Sequence, residues 1–333
     1  PINRPPPALR GLETLLRFNI GAYLFFTKGQ YNLSCKQKRK IRGEIIMKRF
    51  GILISVLLTA ALLFSGCAQQ SGEFNADSEI ATVAREEGSG TRGAFVELMG
   101  LEDEEGNDMT DTNADIAGST AVMVTNVAGN PYAIGYISLG SLNDTVKAVK
   151  VDGVSATVEE ILAGNYKVSR PFNIAVKQDS LSEAAQDFVN YILSTEGQAV
   201  IEKEGYIPLS DTKAFEGKQP SGEVRVSGSS SVSPVMEKLI EAYKTVNPNV
   251  SIQLQESDST TGMNDAIEGR SDIGMASREL KDSETGSGLT GIVIATDGIA
   301  VIVNNDNPIE NLTSEQIKTI FLGEAESWKE FME

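Results

Sequence analysis

The chain contains no histidine. That absence removes Ser-His-Asp and Cys-His catalysis and every histidine-ligated metal site. Among its 333 residues are two cysteines, Cys35 and Cys67, too few for a disulfide framework. No G-x-x-x-x-G-K-S/T run occurs, so there is no Walker A loop, and no unit of about 20–50 residues recurs, so there is no solenoid. Basic residues are scarce in the body of the chain. Residues 1–66 hold 11 of the 29 Lys and Arg but only 2 of the 46 Asp and Glu, which leaves 18 basic and 44 acidic residues from Cys67 on, a net charge of −26. Such a surface excludes nucleic-acid binding through a general basic field. An anion bound here must be held by local dipoles and a few Arg, against the field of the whole molecule. A hydrophobic content of 41% supports packed cores, and the length allows two domains. A His-free, Cys-poor, acidic body with 31 Gly fits a binding protein better than an acid–base enzyme, and no cofactor or metal is expected.

What is present centres on residues 85–92, Arg-Glu-Glu-Gly-Ser-Gly-Thr-Arg. An apolar run at 80–83 precedes them, and Ala94, Phe95, Leu98 and Met99 follow at helical spacing. The pattern predicts a strand, a tight turn and a helix start. The first turn of a helix has unpaired N–H groups and a partial positive charge. Ser89 and Thr91 add hydroxyls, Gly90 allows close approach to the backbone, and Arg85 adds a fork of donors. Such a turn suits a small oxyanion. In isolation an ordinary capped helix start with a surface Arg is the favoured reading.

The N-terminal region has a different grammar. Met47-Lys48-Arg49, an apolar run at 50–64 and Ser65-Gly66-Cys67 read as a secretory leader, residues 47–66. The small residues before Cys67 form a lipobox and resemble bacterial lipoproteins, in which that Cys is lipidated; Phe64 stands where Leu is usual. Residues 1–46 are expected to be upstream translation, because 42–44 can be encoded by a ribosome-binding purine run before the Met47 codon. An intact mature protein retaining them would exclude this. Residues 67–78 read as a polar tether.

Along the body, 132–139, 146–151, 171–177, 224–226, 250–255, 272–276, 291–294 and 298–303 read as strands. Helices are expected over 157–164, 181–193, 197–204 and 313–322, and after Pro234, where Val235, Met236, Leu239, Ile240 and Tyr243 share a face. Residues 101–115 are an acidic loop, and 211–222 a Gly, Ser, Lys and Pro-rich linker. The alternation predicts an α/β fold. Two more polar turns open helices, at Ser231/Val232 and at Ser259/Thr260. In open α/β sheets, ligands sit beyond the carboxyl ends of strands. Three helix N-termini converging there would hold a dianion, each contributing about 0.3–1 kcal/mol, or up to about 2 when partly buried.

Together these motifs resemble the phosphate-binding lipoproteins of bacterial phosphate ABC transporters: R-E-E-G-S-G-T-R at 85–92, G-S-S-S-V at 228–232, D-S-T-T-G at 258–262 and D-I-G-M-A-S-R at 272–278. The resemblance covers 79–333. It implies a two-lobed, hinged periplasmic-binding-protein (type II) fold. Arg85, Ser89, Gly90 and Thr91 would hold inorganic phosphate from one lobe, and Ser231, the Val232 N–H and Ser259 from the other. Arg278 and Thr260 are candidate additional donors, though Arg278 reads equally as a structural ion-pair partner of Glu279 or another acid. Ser277 stands where many members have an Asp that accepts the proton of hydrogen phosphate, so charge-based rejection of sulfate should be weaker; Glu86 or Glu87 are candidate replacements. The resemblance also implies ABC permease partners, a monomer lipid-anchored through Cys67 on the outer face of the cell membrane, and no catalysis.

Motif order departs from the family, where G-S-S-S-V comes first. Each motif occurs once, so a circular permutation is expected, with the old termini joined through 211–222. One lobe would then be split between 79–169 and 297–333, and the other continuous over 170–296, with crossings near Ser169-Arg170 and Thr296-Asp297. A truncated tandem gene or a domain-swapped dimer would give the same order. Competing functions are binding of sulfate, molybdate or a phosphonate, a phosphate-sensing surface lipoprotein or adhesin, and, ranked last, a Ser-nucleophile hydrolase or phosphotransferase.

Overall fold

A computed structural model of the chain describes residues 74–332. The expectations for 1–46, for the leader at 47–66 and for Cys67 fall outside those residues. Strands β1 (Ala81–Arg85), β2 (Asp115–Ala117) and β3 (Ala133–Ser138) form a parallel set with β1 in the middle. β4 (Val146–Ala148) and β5 (Lys150–Val151) follow, then β6 (Ser169–Val176). A second parallel set has β7 (Gly222–Ser229) between β8 (Val250–Ser257) and β9 (Ile273–Ala276). β10 (Thr290–Asn304) runs antiparallel to β3, β4 and β6, and β6 antiparallel to β9. The sheet order is therefore β2-β1-β3-β10-β6-β9-β7-β8, while β11 (Asn311–Leu312) pairs only with β5.

Nine α-helices are described: α1 (Gly90–Met99), α2 (Thr120–Gly129), α3 (Val158–Leu162), α4 (Glu183–Ile192), α5 (Thr195–Lys203), α6 (Ser233–Val246), α7 (Ser259–Ile267), α8 (Asp282–Gly286) and α9 (Ser314–Phe321). They bury apolar residues in two main cores. One gathers Phe95, Tyr136, Ile302, Phe321 and Trp328 from 80–168 and 299–328. The other gathers Phe172, Phe188, Leu239 and Tyr243 from 172–295. Each such side chain contributes about 1.5–3 kcal/mol on full burial. The chain passes between the cores only along β6 and β10, over 168–172 and 295–299.

Several elements differ from the sequence reading. The two strands expected at 291–294 and 298–303 are one 15-residue strand, β10, with a register shift between Val293 and Ala295. Thr296-Asp297, expected at a lobe crossing, lie inside this strand, where Thr296 pairs with Ile207 and Asp297 lies opposite Arg170. The strand at 146–151 is two short strands, because β4 pairs with β10 and β5 with β11. Leu98 is 40% exposed, and Val96 takes its place against the core. β2 and α2 were not anticipated.

Candidate functional site

The turn after β1 is built by local bonds. The Ser89 hydroxyl accepts from the Arg92 N–H at 3.3 Å and caps α1, while Gly100, at φ 64°, ends that helix in the left-handed region. Phe95 stacks on Tyr136 with ring centroids 3.9 Å apart, and the Tyr136 hydroxyl accepts the Arg85 N–H at 3.1 Å. Burial pushes the Tyr136 phenol up to about 12, so it stays neutral. Core packing thus fixes the backbone that carries the Arg85 side chain.

Arg85 is 1% exposed, and its guanidinium is heavily committed. Nε and Nη2 donate to the two Glu86 carboxylate oxygens at 2.7 and 2.6 Å, Nη1 donates to Thr120 Oγ1 at 3.2 Å, and Nη2 donates to Ser230 Oγ at 2.9 Å. Glu86 therefore orients and neutralises Arg85, and Glu87 is exposed. Thr91, fully buried, lies 2.8 Å from the Ser231 hydroxyl and 3.3 Å from that of Ser277. Ser231 is also 3.1 Å from the Thr120 hydroxyl. Ser277 accepts from Ser229 at 3.0 Å, and its N–H donates to Ser259 Oγ at 3.2 Å. A Cβ on Gly90 would collide with Ser259 Oγ and stand 2.9 Å from Ser277 Oγ, so only glycine permits this approach.

The residues brought together are thus Arg85, Gly90, Thr91, Ser231, Ser259 and Ser277, with Ser89 as the adjoining cap. They come from both cores, at the carboxyl ends of β1, β7, β8 and β9. Val232 is not among them as a donor: its N–H is bonded to the Ser229 carbonyl at 3.0 Å and its side chain belongs to the second core. Arg278 makes a bidentate pair with Glu284 at 2.7 and 2.9 Å. That pairing holds Glu284 below the ordinary carboxylate range, although burial pushes it the other way more than any single partner lowers it. Thr260 donates through N–H and hydroxyl to the Gly88 carbonyl, each at 3.2 Å, and so links two turns.

Three polar residues of the cluster escaped the sequence reading. Ser230 was passed over for its neighbours in a run of serines. Thr120 follows Gly118-Ser119 at the start of α2, whose Ser119 cap accepts from the Val122 N–H; this is a fourth turn of the same grammar, and that signal was available. Arg170 is expected only at a lobe crossing, yet it is buried and donates to Thr91 Oγ1 at 3.0 Å. A surface depression of about 310 Å³ bounded by Lys177, Arg225 and Glu268 contains none of these residues.

The model of the PBP superfamily domain matches residues 59–196 and 213–332. This chain belongs to the PBP superfamily. Within it the chain is a member of the PstS family. The PstS 2 phosphate-binding protein of Streptococcus agalactiae is 50% identical over 286 residues, covering 84% of this chain and 97% of that protein. A crystal structure of a phosphate-binding protein of a Streptococcus pneumoniae phosphate ABC transporter is 43% identical, with a TM-score of 0.61, over 76% of this chain and 99% of that one. The match to the PstS of Staphylococcus saprophyticus is 38% identity over 116 residues, only 33% of this chain and 36% of that protein. The two-lobed periplasmic-binding-protein fold is thus the fold of this PstS-family chain.

Proposed function

We propose that the chain captures inorganic phosphate between its two lobes and delivers it to an ABC permease. The observation that carries this reading is the convergence of Arg85 and four Ser/Thr-bearing helix starts, from two cores, on one buried cluster. Hydroxyls, helix N-termini and a guanidinium are the donors an oxyanion requires in a body of negative charge. Closure about β6 and β10 removes the anion from water and completes the site from both sides. No bond is made or broken. Calorimetric titration of the purified protein with phosphate and with sulfate between pH 5 and 9 tests this, and absence of phosphate binding overturns it.

One observation favours a second ligand. Ser277 brings no charge to the cluster, so sulfate competes more effectively than it would against a carboxylate there. The site roles of Ser89, Gly90, Thr91, Ser231, Ser259 and Ser277 belong to this same proposal, with Ser230 in place of the Val232 N–H and with Arg278 as the buttress of Glu284.

The protein acts outside the cytoplasm, anchored by lipid on Cys67, as a monomer. No described helix is long and apolar enough to cross a membrane. Relative to the usual motif order the chain is circularly permuted, with 211–222 as the join. Three observations support this. Glu79 bridges Ser327 and Lys329 pairs with Asp77 at 2.7 Å, so the ends of the described body adjoin. The staphylococcal match covers about a third of each chain, and the streptococcal one nearly the whole relative, which therefore shares this order. Mass spectrometry of the membrane-extracted protein tests the lipid, and light scattering with a one-to-one phosphate stoichiometry tests the monomer.

A further inference from the structure

Arg170 and Asp297 sit opposite each other on β6 and β10, where the chain passes from one core to the other. Both are almost fully buried, and Arg170 Nη2 is 3.3 Å from an Asp297 carboxylate oxygen. The guanidinium lies 5.3 Å from the Phe172 ring centroid, and its Nε and Nη1 find no hydrogen-bond partner among the described residues. A buried pair of this kind is weak as a source of stability, because desolvation offsets the attraction. Among the described residues, the one side-chain hydrogen bond of Arg170 leads into the anion cluster: Nη2 donates to Thr91 Oγ1 at 3.0 Å.

That bond has a consequence for the site. A guanidinium only donates, so Thr91 accepts from it and must direct its own proton elsewhere. The groups within reach are the hydroxyls of Ser231 and Ser277, which belong to the candidate anion site. Resting on the phosphate reading above, we infer that Arg170 is a specificity-determining residue: it makes Thr91 an obligate donor and adds a second guanidinium beside Arg85, so that the site selects the more highly charged form of its anion. Asp297 is the positioning residue that holds Arg170 in place. The charged or titratable groups facing Arg170 are Asp297 on β10, Tyr206 after α5 and Arg85 on β1. Burial raises the Tyr206 phenol above its ordinary value, which leaves it neutral at working pH. With no carboxylate at Ser277, no anionic acceptor within the hydroxyl cluster favours a ligand that still carries its proton.

The test compares the wild type, Arg170→Met, Arg170→Lys and the double variant Arg170→Met/Asp297→Asn. Phosphate affinity is measured above and below the second ionisation of phosphate, with sulfate in parallel and thermal unfolding as the control. The wild type is expected to bind phosphate more tightly at the higher pH. Arg170→Met and the double variant are expected to lose at least about tenfold at high pH and clearly less at low pH, with sulfate falling as the dianion does. Arg170→Lys is expected to recover part of the loss. The double variant removes both buried charges and keeps the fold readable if the single variant unfolds. A wild type that ignores phosphate defeats the phosphate reading itself. A wild type that binds, beside a folded double variant of equal affinity or with the same loss at every pH, overturns the role of Arg170 alone.

Discussion

Arg85 donates to the Ser230 hydroxyl at 2.9 Å across 145 residues of chain. The guanidinium extends from β1 of one core and the hydroxyl from the end of β7 of the other, so this bond is one of several that join the lobes through the candidate site. Arg85→Ala removes a charged donor, of the kind worth about 1.5–3 kcal/mol, and should weaken phosphate binding at least about tenfold. Ser230→Ala removes a neutral one and should cost roughly two- to tenfold. Calorimetric titration measures both; unchanged affinity in Arg85→Ala would put the anion elsewhere.

Gly90 is a point of close approach between the lobes. The nearest groups a methyl there meets, Ser259, Ser277 and Arg278, all belong to the other lobe. Gly90→Ala should therefore leave the ligand-free melting temperature nearly unchanged and abolish the rise that phosphate produces by mass action. Scanning fluorimetry with and without phosphate reads this, and a variant with a full ligand-induced rise contradicts it.

Ser277→Asp puts a carboxylate in place of a hydroxyl that lies 3.0 Å from Ser229 Oγ and 3.3 Å from Thr91 Oγ1. The new charge repels a fully deprotonated anion and accepts the proton of a protonated one. The ratio of phosphate to sulfate affinity should rise, chiefly through loss of sulfate. Competition between the two anions decides it, and an unchanged ratio would detach residue 277 from selectivity.

Burial pushes the Asp297 carboxyl up to about 6 from an ordinary 3.8, against the pull of Arg170. The folded protein then binds that proton more tightly than the unfolded chain. Stability from this group is fully present below about pH 3.8 and is lost as pH rises through about 6. Arg170, lowered to about 10 by burial, remains charged throughout this window. Asp297→Asn should therefore gain on the wild type in melting temperature as pH goes from about 4 to about 6. A constant difference over that range would show that Asp297 does not titrate there.

Most of the local architecture was legible before any coordinates. The turn at 85–92 was readable as a capped helix start because Ser89, Gly90 and the apolar face at Ala94, Phe95 and Met99 act over a few residues. The same holds for Asp258, which caps α7 by accepting from the Thr261 N–H at 2.8 Å. Legibility failed where a residue's partner is distant. Asp297 is legible only as part of a lobe crossing, because its cross-strand neighbour Arg170 is distant in sequence and nothing local distinguishes a buried charge from a solvated one. For Arg278 the sequence leaves a ligand donor and a structural ion pair equally open, because Glu284, which binds it, lies beyond the motif.

By itself the sequence determined that this protein has no histidine chemistry, that its strands alternate with helices, and that Ser, Thr and Gly stand at three helix starts with Arg85 beside one of them. Those properties are compositional or depend on contacts within one helical turn. Only the tertiary structure decided which of Ser230, Ser231 and Val232 faces Arg85, that a fourth turn at Thr120 joins the cluster, and that Arg170 reaches Thr91. The reason is geometric. Neighbouring residues in a turn point in different directions, and which of them meets a guanidinium 145 residues away depends on how two separately packed cores are set against each other along β6 and β10.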